Sequence, residues 1–206
     1  MIAKLYDLVL SLDHFRWDCL KGDLPSDGIY FFYEEGERVA FRGQSVERIV
    51  RVGTHRGDGN FPGRIRQHYG NMKSLGGNKN GSVFRRHVGG ALLRRVSPDD
   101  PRLLNWVPQG GASNPSVEAQ VSEWMRQNLS FSWVRVPTKE DRLSLERGLI
   151  GFLAQQPLGP PSAGWLGRHA VSTTIQATGL WNTQETSAMP LTTTQLERLM
   201  ELANTQ

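Results

Sequence analysis

The chain has 206 residues, 38% of them hydrophobic and 21% charged, with a formal net charge of +4 and a pI near 9.5. That balance fits a globular protein with one core and excludes a disordered or collagenous chain. No apolar run approaches the roughly 20 residues of a membrane span, and the lone Cys19 excludes an internal disulfide framework or a cysteine-based zinc site.

The first segment, MIAKLYDLVLSLDHF, carries Ile2, Leu5, Leu8, Val9, Leu12 and Phe15 at three-and-four spacing. It predicts an amphipathic helix over residues 1–20. Lys4, Asp7 and Asp13 interrupt it, so it does not read as a signal peptide, and a cytoplasmic setting is expected. A turn is expected at 23–27, around Pro25. Residues 28–34 (GIYFFYE) predict a strand, with Ile29, Phe31 and Tyr33 on one face and Tyr30 and Phe32 on the other. Glu34-Glu35-Gly36-Glu37 reads as a turn, 38–42 as a second strand and 48–53 (RIVRVG) as a third.

Pro62 suits the first turn of a helix that Gly70 stops. Residues 71–82 are rich in Gly, Asn, Ser and Lys, and 83–95 form a short basic helix. Residues 97–113 read as loop, Asn114-Pro115 starts a helix, and 130–136 (SFSWVRV) alternates as a strand. Thr138 with Asp141 caps a helix to about Gln155; 157–190 shows little periodicity, and a cap at Thr194–Glu197 opens a last helix. The expected fold class is α+β, a small mostly antiparallel β-sheet flanked by helices. The expected organisation is a domain over 1–156, with a basic insertion at about 71–115, and an irregular extension over 157–206.

Charge is unevenly spread. Residues 38–97 hold thirteen Lys/Arg against Glu47 and Asp58, whereas from Gly148 onward only Arg168 and Arg198 face Glu185, Glu197 and Glu201. Arginine forks suit phosphate oxygens, so a nucleic acid is the expected partner. Candidates for phosphate contact are Arg51, Arg66, Lys73, Lys79, Arg85 and Arg86.

Four residues suggest chemistry. Tyr30, taken singly, is a β-former. Arg64 and His68 are four apart and share a helix face, where a guanidinium and an imidazole can bind a phosphate and move a proton. Glu146 interrupts the apolar stripe of Leu143, Leu149 and Ile150, which is costly unless it is paired or metal-bound. Pairing with Arg142, four residues earlier, is the bland alternative. One carboxylate with phosphate oxygens and waters is a usual magnesium arrangement. GGNKNGS (76–82) has Ser82 where a phosphate-loop lysine must stand, GDGNFPG (57–63) is no dinucleotide fingerprint, and His14, His55, His87 and His169 lack metal-ligand spacing.

Together these stretches resemble the GIY-YIG nuclease family. Gly28-Ile29-Tyr30 matches the first signature triplet, Arg51-Val52-Gly53 stands at the second, Arg64-x-x-x-His68 matches the helix motif, and Glu146 in LSLERGLIGFL matches the metal-binding helix. The resemblance implies a DNA endonuclease in which Tyr30 activates water, Arg64 binds the scissile phosphate, His68 assists proton transfer or orientation, and Glu146 holds one Mg2+ or Mn2+. Arg51 replaces the second signature tyrosine, and 28–55 and the stretch from His68 to Glu146 are longer than in minimal modules, with EEGERVAFRGQSVE reading as an insertion. Both expansions resemble the restriction-endonuclease branch, which would imply restriction or defence; a palindromic target would in turn imply a homodimer. The family's downstream asparagine has no match at Leu158 or Ser162, leaving Asn182 in GLWN as a distant candidate. The alternative reading is a non-catalytic nucleic-acid-binding protein on the same fold.

Overall fold

The structure is a computed structural model that describes residues 1–18 and 24–205. Cys19 and Asp23, the first residue of the expected 23–27 turn, lie outside the described residues, as does the end of the helix expected over 1–20.

The sheet is built around β1 (Gly28–Phe41), paired antiparallel with β2 (Gln44–Gly53) on one side and β3 (Leu129–Arg135) on the other. Period-2 alternation divides the aromatic run as expected. Ile29, Phe31 and Tyr33 enter one core, and Tyr30 and Phe32 enter another. Every residue from Ile29 to Tyr33 is at most 1% exposed. β1 is therefore covered on both faces, which explains a continuous apolar run in an antiparallel sheet.

The first core is closed by α1 (Ile2–Ser11), α6 (Lys139–Gln155) and α8 (Thr193–Ala203). The second is closed by α2 (Phe61–Tyr69), α3 (Val83–Val96) and α5 (Pro115–Asn128), together with Trp106 of the short α4 (Leu103–Trp106) and Trp165 and Trp181 from the C-terminal quarter. That quarter also holds a 3-10 turn at Leu166–His169 and α7 (Thr173–Thr178). The fold is α+β, and among the described residues no helix is long and apolar enough to cross a membrane.

Three local expectations change. α1 ends at Ser11, because Leu12 turns extended and Phe15 exchanges backbone hydrogen bonds of 2.7 and 2.8 Å with Phe131 of β3. The expected turn at 34–37 is strand, and EEGERVAFRGQSVE forms the far half of one long hairpin. Its turn is Arg42-Gly43, both at positive φ (49° and 77°), as a two-residue hairpin loop requires. A register irregularity between Tyr33 and Arg38, with Gly36 at φ 82°, absorbs the bend. The last helix is capped two residues earlier than expected, by a reciprocal Thr192–Gln195 box.

The acidic residues of that stretch stay in the strand because the rest of the fold satisfies them. Oε2 of Glu34 accepts the indole N–H of both Trp165 (3.0 Å) and Trp181 (2.9 Å). Glu37 accepts two bonds from Arg48, at 3.0 and 2.7 Å. A buried carboxylate is tolerated only on such terms. Burial still dominates at Glu34: it lifts the group from 4.5 to about 7, with the Trp181 bond opposing it and the Glu37 charge adding to the rise.

This sets the sign of a pH effect. A carboxyl raised in the folded state contributes stability below pH 4.5 that is lost as the pH climbs through about 7. Glu34→Gln cannot ionise, so between pH 4.5 and 8 its unfolding free energy should move in the variant's favour relative to wild type by on the order of 2–3 kcal/mol. Denaturant titrations of both proteins across that range test this; a constant difference would refute it.

Candidate active site

Tyr30 on β1 faces Gly53 on β2 across the ladder. A Cβ at residue 53 would run into the phenol oxygen and ring of Tyr30 well inside contact distance. Glycine is needed there because the tyrosine ring lies on the backbone. Gly28 is needed for a similar reason: its Cβ would stand 2.7 Å from the Val134 carbonyl and 3.3 Å from the Phe61 ring.

The Tyr30 hydroxyl is 2.9 Å from His68 Nε2. Nδ1 of His68 is 2.8 Å from Ser82 Oγ, and that oxygen also accepts the Arg85 N–H as the cap of α3. All three side chains are fully buried. Burial first, and then the cations of Arg64, Arg51 and Arg85, hold His68 well below the ordinary histidine range, so the imidazole is neutral.

Arg64, one helical turn before His68, donates to the Gln67 side chain and to the Gly81 carbonyl (3.1 Å). It lines a cleft of about 550 Å³ with Tyr30, Arg51, Glu146 and Asn182. The bland pairing of Glu146 with Arg142 does not form. Arg142 instead reaches Asp27 at 2.9 Å and Asp58 at 2.6 Å. Oε1 of Glu146 accepts the Thr54 N–H at 2.9 Å, while Thr54 Oγ1 donates to the Gly28 carbonyl at 2.7 Å. The residue after Gly53 thus ties the end of β2 to both β1 and α6. Burial raises Glu146, opposed by the Thr54 N–H and by the Arg51 and Arg64 cations.

Arg51 is enclosed. Its Nη1 donates to the Trp181 carbonyl at 2.9 Å, its guanidinium lies 4.8 Å over the Phe84 ring, and Nε is buried with no partner. Burial draws it below the usual arginine range, against the pull of Tyr30. Next to the Trp181 carbonyl, Asn182 brackets Val52: its Oδ1 accepts the Val52 N–H (3.1 Å) and its Nδ2 donates to the Val52 carbonyl (2.9 Å). With Trp181 N–H on the Val50 carbonyl (2.7 Å), residues 181–182 occupy the outer edge of β2.

The structure therefore brings Tyr30, Arg51, Arg64, His68 and Glu146 together and places the other cations elsewhere. Lys79 is fully buried, its Nζ donating to the Pro108 carbonyl (3.2 Å) and Asn80 Oδ1 (3.3 Å). Arg85 is fully buried and spent on Glu118, the His68 carbonyl and Ser122. Neither has a free face for phosphate. Arg66 and Lys73 are exposed away from the cleft lining, and Arg86 bonds Gln109 on its rim. The sequence offered no signal for Thr54 or for the bond that Ser82 makes, showed His55 only as a histidine without metal-ligand spacing, structural or phosphate-contacting, and left Asn182 at a distance. His55 accepts the Gly28 N–H at 3.3 Å and lies 2.6 Å from the Gly57 carbonyl through Nδ1.

The donor set at Glu146 is a single carboxylate with one oxygen used by Thr54. Among the described residues no cluster of three or more His, Cys, Asp or Glu could hold a metal unaided. One hard oxygen suits Mg2+ or Mn2+ drawing its other ligands from phosphate and water.

Neither the curated proteins nor the solved structures yield a match to this chain. A family model does: the GIY-YIG domain matches residues 2–206. With that match spanning nearly the whole sequence, and with Tyr30 of the first triplet paired with Gly53 of the second in the sheet, the chain belongs to the GIY-YIG family, whose members are nucleases.

Proposed function

We propose that this protein is a DNA endonuclease that hydrolyses phosphodiester bonds with one divalent metal, using Tyr30, Arg64, His68 and Glu146. The observation that carries the reading is convergence. Tyr30 of β1, Arg64 of α2 and Glu146 of α6 border one cleft, and His68 stands behind the Tyr30 hydroxyl.

Arg64 binds the phosphate, and its fixed charge matches the negative charge that builds on the phosphoryl oxygens. Tyr30 takes the proton of the attacking water. His68 holds the Tyr30 oxygen in place. Glu146, oriented by the Thr54 N–H, is the ligand for Mg2+ or Mn2+. The bound ion would neutralise phosphate charge and stabilise the departing oxygen. Arg51 adds positive charge to the cleft wall beside Tyr30, where the second signature tyrosine would stand. That replacement is the observation favouring the second reading, a nucleic-acid-binding protein that does not cut.

Cleavage assays on plasmid and linear DNA with Mg2+, Mn2+ or EDTA separate the two. Wild type should cut only with metal. Tyr30→Phe and Arg64→Ala should each lose about 100-fold or more, and Glu146→Gln should lose metal-dependent cleavage. DNA binding that persists in Glu146→Gln and weakens steeply with salt is expected under either reading. A wild type that binds without cutting in any metal would leave only the second. Gly53→Ala, which pushes the Tyr30 phenol off the β2 backbone, should lose cleavage as fully as Tyr30→Phe while remaining folded by circular dichroism.

A further inference from the structure

Ser82, His68 and Tyr30 form a buried line of three groups joined by two hydrogen bonds, of 2.8 and 2.9 Å. A neutral imidazole carries one hydrogen, so the line can run in only two directions. Running inward, Tyr30 donates to Nε2, Nδ1–H donates to Ser82, and the Ser82 hydroxyl hydrogen is left over. Running outward, Ser82 donates to Nδ1, Nε2–H donates to the Tyr30 oxygen, and the leftover hydrogen is that of Tyr30.

The ends of the line are not equivalent. Ser82 is fully buried at the start of α3, its oxygen already accepting the Arg85 N–H. Among the described contacts, His68 Nδ1 is the one acceptor its hydroxyl meets. A surplus hydrogen there would be a buried donor without a partner. Tyr30 is equally buried but is the member of the three that lines the cleft, so that only its hydrogen has a cavity beside it in which water or a phosphate oxygen can accept. The Arg51 guanidinium beside the Tyr30 hydroxyl likewise favours the oxygen as acceptor and turns its hydrogen away.

We propose that Ser82 is a positioning residue that fixes His68 in the Nε2–H tautomer, so that His68 donates to the Tyr30 oxygen and Tyr30 directs its own hydrogen into the cleft. The role of this line in catalysis rests on the nuclease reading above. In that reaction Tyr30 releases its hydrogen to solvent in the cleft rather than to His68. Its oxygen, held by the Nε2–H and by Arg51, then accepts the proton of the attacking water. His68 is a hydrogen-bond donor throughout and does not become an imidazolium.

The test reads the tautomer directly, by 15N NMR of protein labelled at histidine. Wild type should show His68 with its hydrogen on Nε2; a hydrogen on Nδ1 would overturn the proposal, and this measurement needs no variant. Ser82→Asp keeps an acceptor for the Arg85 N–H and so keeps the helix cap, but a carboxylate cannot donate. It should move the His68 hydrogen to Nδ1 and lower cleavage at least about tenfold at unchanged metal affinity. Ser82→Thr, which keeps both functions of the hydroxyl, should retain the wild-type tautomer and rate. A reversed tautomer with undiminished cleavage would overturn the mechanistic role. Should wild type not cut DNA at all, the nuclease reading fails, and the wild-type tautomer still decides the role of Ser82.

Discussion

The Tyr30 ring rests on the backbone of Gly53, with no room between them for a methyl group. That contact requires Tyr30 and Gly53 to be cross-strand partners. A one-residue slip would send the tyrosine to the other face of the sheet. Register in turn fixes the neighbours. Thr54 follows Gly53 and meets Glu146, Gly28 precedes Tyr30 by two and meets His55, and Phe61 packs on the same corner to launch α2. The cleft is thus assembled around one pair of strand residues. Both signature glycines serve close approach rather than a turn.

A second constraint holds the C-terminal quarter. Glu34 sits in the middle of β1 and gathers the indoles of Trp165 and Trp181 onto a single carboxylate oxygen. Trp181 then covers the edge of β2 with Asn182, and Arg51 closes the joint by donating to the Trp181 carbonyl. The segment that lacks periodicity is therefore held by buried polar bonds, which explains how an irregular backbone can sit against a sheet edge without leaving its own groups unpaired. The cost is a carboxyl displaced to about 7 by burial, which couples this joint to pH.

The basic section serves two physical purposes that charge counting cannot separate. Arg48, Arg85 and Lys79 are interior residues whose charges are answered by Glu37, Glu118 and main-chain carbonyls. Removing one partner of such a pair costs about 3–5 kcal/mol, because the other charge stays buried. Arg51 and Arg64 line the cleft. His87 is driven down to about 4 by burial and by the Arg51 and Arg86 charges. An excess of arginine in one stretch marked the region of the cleft, but only part of it lines that cleft.

What the sequence determined is what local periodicity carries. The alternation of Ile29 to Tyr33 assigned both faces of β1, four-residue spacing put Arg64 and His68 on one side of a helix, and the break in an apolar stripe marked Glu146. Pro62 and Gly70 bounded α2 correctly. These signals survive because strand and helix periods are properties of neighbouring residues. The tertiary structure decided everything that depends on a partner far along the chain. Glu34 and Glu37 remain in a strand because tryptophans and an arginine satisfy them, Asn182 joins the site from 130 residues away, and Ser82 meets His68 through the folding of a loop onto α2. Burial and hydrogen-bond satisfaction are set by which segments meet, and no window of sequence contains both halves of those contacts.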